Sequence, residues 1–310
     1  MSNLRGRDLI SIHDLDTEEV YQIIETAIQL KTHRRAGLED QPLRGKTLAM
    51  IFTKNSTRTR VSFEVAMYQL GGHALFLSGN DLQLRRGETI ADTAKVLSRY
   101  VDGIMIRTFA HRDVLDLAAA ADVPVINGLT DLLHPCQVLA DLQTIYEKRR
   151  RLEGLRLVYV GDGNNMAHSL MFGGAKVGMH VTICCPDDHQ PDPEIVRQAK
   201  EDARATGAMI EIGNDPLPAV VGADVLYTDV WVSMGQEAEH AARVKAFKPF
   251  QLNEKLLARA GRDAIVLHCL PAHRGEEITD EVIDGPQSVV FDEAENRLHT
   301  QKAILALLMS

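Results

Sequence analysis

The stretch TLAMIFTKNSTRTRVSFEVAMYQL, residues 47–70, changes character twice. Thr47–Phe52 is a short apolar run of the kind that makes a strand buried on both faces. Val61–Leu70 reads as a helix. Between them, TKNSTRTR (residues 53–60) gathers Lys54, Arg58 and Arg60 with the hydroxyls of Ser56, Thr57 and Thr59. A solvated turn is the plain reading of such a basic stretch. Its place between strand and helix favours another one. A helix N-terminus offers free backbone N–H groups and the positive end of a dipole, which suits an anion. Hydroxyls add donors, and an arginine can grip two phosphate oxygens. The glycines and the GK[ST] ending of a Walker A loop are absent, so the pattern is a phosphate site of another type.

Strand and helix patterns alternate outward from this unit. Further strands are expected at Ala74–Leu77, Gly103–Arg107, Val123–Asn127, Arg156–Val160, His180–Cys185, Val225–Asp229 and Ala264–His268. Helical patterns cover Ile90–Tyr100, Arg112–Ala120, Cys136–Arg149 and Met166–Lys176. Near the N-terminus Val20, Ile23, Ile24, Ala27 and Ile28 recur at helical spacing, with Asp14 or Thr17 as the expected cap. Such alternation implies right-handed crossovers and parallel sheets covered on both faces, an α/β chain of the doubly wound kind. The basic run Glu147–Arg151, followed by Gly154, marks a boundary between two α/β halves, 1–150 and 151–290. Residues 291–310 form a last amphipathic helix that could pack on either half.

The totals constrain function. The 310 residues carry a formal charge of −9, with 45% hydrophobic and 25% charged residues. An acidic globular chain is a poor partner for nucleic acid or anionic membranes. Its local cation patch therefore suits a small anion. The four cysteines form no C-x-x-C pair, which points to a reducing compartment. No signal peptide and no membrane-spanning run are expected.

Further motifs follow strands. HPCQ (residues 134–137) precedes a helix, and its histidine alone could be an ordinary loop residue. GDGNNM (residues 161–166) opens like a dinucleotide fingerprint, with Met166 at the third glycine position and Asp187 available for a ribose. A nicotinamide enzyme therefore stays open on this motif, although Asn164-Asn165 better suits a small polar ligand. Asp229 in DVWVSMG ends a strand, either as a ligand group or as a helix cap. HCLPAHR (residues 268–274) offers His268, Cys269 and His273. C-x3-H supplies only two or three ligands with no second pair nearby, so no metal is expected.

STRTR, HPCQ, GDGNN, DVWVSMG and HCLPAHRGEE, in this order and spacing, resemble the ornithine carbamoyltransferases from about Gly45 to Lys302. The first two are shared with aspartate carbamoyltransferases; SMG and HCLP separate the ornithine branch. The resemblance implies two doubly wound parallel-sheet domains, carbamoyl phosphate first and ornithine second, with the final helix returning to the first. It implies carbamoyl phosphate contacts at Ser56, Thr57, Arg58, Thr59, Gln83, Arg107, His134, Pro135, Cys136, Gln137, Cys269, Leu270 and Arg297. Ornithine contacts fall on Asn165, Asp229, Ser233 and Met234. Catalytic work falls on Arg58, Arg107, His134, Asp229 and Cys269. The implied reaction transfers a carbamoyl group to ornithine, giving citrulline and phosphate, in a cytoplasmic homotrimer with shared sites and no cofactor. Gln83 would then act on a neighbouring subunit's site. A putrescine-type acceptor is the nearest rival, but it lacks the carboxylate that the SMG loop suits. One position departs from the pattern: many relatives have Thr where HPCQ has Cys136, so a hydroxyl is lost.

Overall fold

The computed structural model describes residues 4–79, 82, 87–232 and 237–310. The chain divides into two units: Met1–Gln143 with Glu295–Ser310, and Thr144–Ala294. The first unit begins with α1 (Thr17–Arg35). Its cap is Asp16, two positions after Asp14 and one before Thr17. Asp16 accepts from the Glu19 amide at 2.8 Å, and Glu19 accepts from the Asp16 amide at 3.0 Å. That reciprocal pair satisfies two orphan donors at once, which neither Asp14 nor Thr17 could do in this register.

The unit continues with β1 (Thr47–Phe52), α2 (Thr57–Gln69), β2 (His73–Ser78), α3 (Ile90–Leu97), β3 (Gly103–Arg107), α4 (His111–Ala120), β4 (Val125–Leu129) and α5 (Pro135–Arg149). The strands pair in the order β2-β1-β3-β4, all parallel. One side of this sheet packs Ala49, Ile51, Ile104, Ile106 and Val125 against Val114 and Leu117 of α4. Strand β4 starts two residues later than the sequence suggests. Pro124, which lacks an N–H, precedes it, and the Val125 amide is held by Asp8 at 2.7 Å.

The second unit holds β5 (Arg156–Val160), α6 (Asn165–Val177), β6 (His180–Cys184), α7 (Pro193–Asp202), β7 (Ile210–Gly213), α8 (Pro216–Ala219), β8 (Val225–Thr228), α9 (His240–Phe247), α10 (Glu254–Leu257), β9 (Ile265–His268) and α11 (Asp280–Ile283). Its sheet is also parallel, in the order β7-β6-β5-β8-β9. Strand β7 is an addition to the sequence reading. It is a short edge strand in which only Ile210 is buried, so it has no apolar run to announce it. Val158, Val160, Leu226 and Val266 form one core cluster of this unit with Val282 and Ile283.

The last helix, α12, spans Val290–Met309. Its residues from Glu295 onward belong to the first unit. There Asn296 Oδ1 accepts from Lys31 Nζ at 2.6 Å and from Gln143 Nε2 at 3.1 Å. Thr300 donates to Gln143 Oε1 at 2.6 Å. These bonds join α12 to α1 and α5 through buried polar groups.

Candidate active site

Strand order decides where ligands can sit. In the first sheet β1 pairs β2 on one side and β3 on the other, so the winding reverses between β1 and β3. In the second sheet it reverses between β5 and β8. A crevice opens beyond the carboxyl ends of strands at such a switch point. TKNSTRTR follows β1 and Arg107 ends β3, while GDGNN follows β5 and Asp229 follows β8. The motifs therefore occupy both switch points.

At the first of these, α2 begins at Thr57, four residues before the apolar periodicity does. Ser56 caps it, its Oγ accepting from the Thr59 amide at 3.1 Å. Arg58, Thr59 and Arg60 therefore stand on the first helical turn instead of in a loop. Arg60 is committed elsewhere: it stacks on Phe76, 3.7 Å from the ring centroid, and bonds Glu64 at 2.9 Å. Arg58 is half-buried and has no carboxylate partner among the described residues. Thr57 is exposed.

Arg297, from α12, draws the remaining groups together. Its Nη2 donates to Thr59 Oγ1 at 3.0 Å and its Nη1 to Gln137 Oε1 at 2.6 Å. Gln137 passes the contact on, donating to Asp141 at 2.8 Å. His134 is buried just before α5. Burial, then the charges of Arg297, Arg107 and Lys54, push its pKa well below the usual imidazole range. It is thus a neutral imidazole among three cations, able to donate an N–H without adding charge. Pro135 opens α5, where its missing N–H costs nothing. Cys136 is fully buried, and its thiol donates to the Asn127 carbonyl at 3.4 Å. Burial pushes that thiol up to about 12, so it is a neutral core group. A threonine hydroxyl would make the same kind of bond more strongly.

Lys54 was visible in TKNSTRTR but drew no site assignment from the sequence. It is 5% exposed, bonds Asp131 at 2.8 Å and lies over the Phe109 ring. Its charge reaches His134 all the same. Its signal was a cation next to a buried strand end, where a solvated turn would leave it in water.

At the second switch point, Asn164 caps α6. Its Oδ1 accepts from the amides of Met166 at 2.9 Å and Ala167 at 3.3 Å, while its Nδ2 donates to Asp229 Oδ2 at 3.2 Å. Asp229 Oδ1 accepts from the Cys269 thiol at 3.0 Å and from the Val230 amide at 2.8 Å. Asp229 is therefore a carboxylate held from three sides, not a helix cap. Asn165 is the first residue of α6 and half-buried. Leu270 has φ 56 and is half-buried; its amide donates to His268 Nδ1 at 2.9 Å. Gln83, Ser233 and Met234 lie outside the described residues.

Two neighbours of this group were not picked out from the sequence. Arg243 of α9 pairs with Asp162 of GDGNN and donates to the Trp231 carbonyl at 2.6 Å. It thereby ties the residues after Asp229 to the turn after β5. Burial raises the Asp162 pKa although Arg243 and His189 oppose the shift. A basic residue in an amphipathic helix gives no hint of such a role.

The dinucleotide reading of GDGNN does not survive. A Cβ on Gly163 would stand 2.3 Å from Pro191 N and 2.6 Å from the His189 carbonyl. The glycine is required because this chain's own backbone approaches it, not to admit a cofactor. Asp187 is bonded to Asn214 at 2.8 Å.

The fold is that of an α/β protein of two units, with cations and hydroxyls gathered at the switch point of one sheet and a carboxylate, an amide and a thiol at that of the other. Residues 7–147 match the family model described as aspartate/ornithine carbamoyltransferase, carbamoyl-P binding domain, and residues 153–308 match the Asp/Orn binding domain. The chain is 59% identical over 310 residues to the ornithine carbamoyltransferase of Symbiobacterium thermophilum, covering 100% of both. It is 59% identical over 307 residues to that of Thermococcus kodakarensis, covering 99% of this chain and 98% of the relative. Among solved structures, the ornithine carbamoyltransferase from Pyrococcus furiosus superposes with a TM-score of 0.97 at 58% identity, covering 100% of this chain and 99% of that one. The chain belongs to the aspartate/ornithine carbamoyltransferase family.

Proposed function

We propose that the protein transfers the carbamoyl group of carbamoyl phosphate to the side-chain amine of L-ornithine, giving L-citrulline and phosphate in arginine metabolism. The observation that carries this is the buried set Arg297, Gln137, Thr59, Arg107 and neutral His134 at the first switch point. It occurs in a chain whose relatives at 59% identity are ornithine carbamoyltransferases.

The neutral amine attacks the carbamoyl carbon, forming a C–N bond. Charge moves first to the carbonyl oxygen, then to phosphate as the C–O bond breaks. Arg58, Thr59 and Arg107 stabilise the phosphate charge, and Ser56, Thr57 and Gln137 fix its orientation. His134, held neutral, donates its N–H to the carbonyl oxygen. Leu270 offers a backbone contact to the carbamoyl group. Asp229 binds the α-amino group, and Asn165 with Ser233 and Met234 binds the carboxylate side. The Cys269 thiol donates to Asp229, so as the sulfur takes the proton of the attacking amine, its own proton passes along that bond to the Asp229 carboxylate.

The same reading has the chain act as a cytoplasmic homotrimer in which Gln83 serves a neighbour's site. Its support is an exposed apolar margin on the first unit: Leu75 and Phe76 on edge strand β2, with Val61 and Tyr68 on α2. Among the described residues no helix is long and apolar enough to cross a membrane. All four cysteines are free thiols, which suits a reducing compartment. The test is citrulline-type product formation from carbamoyl phosphate with ornithine, putrescine and aspartate offered separately. Turnover with putrescine equal to that with ornithine would reject the assigned acceptor; turnover with none would reject carbamoyl transfer.

A further inference from the structure

Beyond both half-sites, the turn after β9 gathers His273, Glu276 and Glu277. One ligand-type atom from each lies within 4.8 Å of the others. His273 Nδ1 is 3.8 Å from Glu276 Oε2. Glu277 is fully buried, an unusual place for a carboxylate. The distribution of its bonds is one-sided. Oε1 accepts from the His273 amide at 2.5 Å and from His268 Nε2 at 3.1 Å. Oε2 is buried with no hydrogen-bond partner. Glu276 repeats the arrangement: Oε1 lies 3.2 Å from His240 Nε2, and Oε2 is buried with no hydrogen-bond partner.

We propose that His273, Glu276 and Glu277 bind a divalent transition-metal ion of the zinc class, with His240 and His268 holding the two carboxylates from behind. Imidazole plus carboxylate is a donor set such ions take, whereas calcium and magnesium prefer oxygen alone. Ligand bonds of about 2.0–2.2 Å at tetrahedral angles put donor atoms roughly 3.3 Å apart. A closure of about half an ångström brings the His273–Glu276 pair to that spacing. Glu277 has one oxygen fixed by hydrogen bonds and Glu276 has one oxygen beside His240, each with its other oxygen unspent, the outer-sphere support that ligating groups commonly show. The ion answers a specific cost, because a buried carboxylate oxygen without a partner is expensive and a cation neutralises it. The sequence signal was missed because it lies in HRGEE, not in the C-x3-H spacing that first drew attention.

A second group, Asp229, His268 and Cys269, also has ligand-type atoms within 4.8 Å. The experiment must tell the two apart. Tag-free full-length protein, stripped with chelator, is titrated with Zn2+ by calorimetry and with Co2+ by visible absorption, in wild type and in a Cys269→Ser background. The expected result is one ion per chain that persists in Cys269→Ser. His273→Ala and Glu276→Gln should each weaken it at least tenfold, His240→Ala by about tenfold through lost support, and the surface control His73→Ala not at all. Melting of each metal-free variant confirms folding, and Glu276→Gln stands in should His273→Ala fail to fold. Loss of binding on Cys269→Ser alone assigns the ion to the other group and overturns the proposal. So does undiminished binding by both His273→Ala and Glu276→Gln, or no stoichiometric binding at all.

Discussion

Replacing Arg297 by methionine isolates what the last helix contributes to the first unit. The guanidinium donates to Thr59 Oγ1 and Gln137 Oε1, both on residues at most 1% exposed. Hydrogen bonds to a charged group contribute about 1.5–3 kcal/mol each, so about 3–6 kcal/mol is lost. Methionine fills much of the volume and spares the desolvation of a buried cation, which returns part of that. The net expectation is about 2–4 kcal/mol of destabilisation. At roughly 2–4 °C per kcal/mol for a unit of this size, the melting point falls about 4–16 °C. The double mutant with Gln137→Leu should lose less than the sum of the singles, by about 1 kcal/mol or more, because the two share one bond. Loss of the nearby positive charge also moves the His134 pKa up toward the ordinary imidazole range. The acid limb of kcat/KM should then shift to higher pH. Calorimetry supplies the first numbers and a pH series of phosphate release the last. A melting point within about 1 °C of wild type, a strictly additive double mutant and an unmoved acid limb would refute the bridging role.

Arg58→Ala should leave the fold intact and lower turnover about 10²–10³-fold, the usual cost of one donor to developing charge; wild-type turnover at saturating carbamoyl phosphate would show that STRTR is not the anion site. Stability should fall as pH drops below 6.5. His134, His111 and His299 have depressed pKa values in the folded chain, His299 to about 4, so the unfolded chain takes up protons first. In the range from 6.5 down toward those folded values, His299→Gln should flatten the dependence of unfolding free energy on pH by up to about 1.4 kcal/mol per pH unit; an unchanged slope contradicts the assignment. Apparent ornithine affinity should improve from pH 6 to 8.5, since an alkylamine with a pKa of about 10.4 must lose a proton to attack, and Cys269→Ser should alter that profile. Arg58→Ala and Gln83→Ala chains, each nearly inactive, should regain activity when exchanged into hybrid trimers; hybrids no better than the parents exclude a shared site. Gly163→Ala should destabilise by about 2 kcal/mol or more, because the new methyl meets backbone at 189–191 that cannot turn aside; a melting curve without ligand decides it.

Strands β1, β3 and β5 were legible to the residue because both of their faces are buried, which leaves an apolar run broken only at a strand end. Strand β7 was not, because an edge strand with one buried side chain looks like loop. The start of α2 was misplaced for a related reason. STRTR has no apolar periodicity, and only the Ser56 cap reveals that the helix has begun. Position in the sheets was beyond reach as well. Nothing in TKNSTRTR or DVWVSMG says which strands are neighbours, so neither switch point could be read from them. Arg297 came from resemblance alone, since an arginine on an amphipathic helix is ordinarily a surface residue. Lys54 and Arg243 were hidden by the same expectation. Each is a cation buried by a partner far along the chain, at Asp131 and Asp162 respectively.

Each sheet reverses its winding once and carries its own ligand groups there, on its own core. That arrangement makes the two substrate preferences separate targets for mutation. On the proposed assignment, changes around Asp229, Trp231 and Arg243 retune the acceptor without touching the strand that launches STRTR. Changes around Ser56 and His134 leave the acceptor groups in place. A lineage that kept the first sheet could therefore try one amine after another with the same activated donor, each trial confined to a few loop residues.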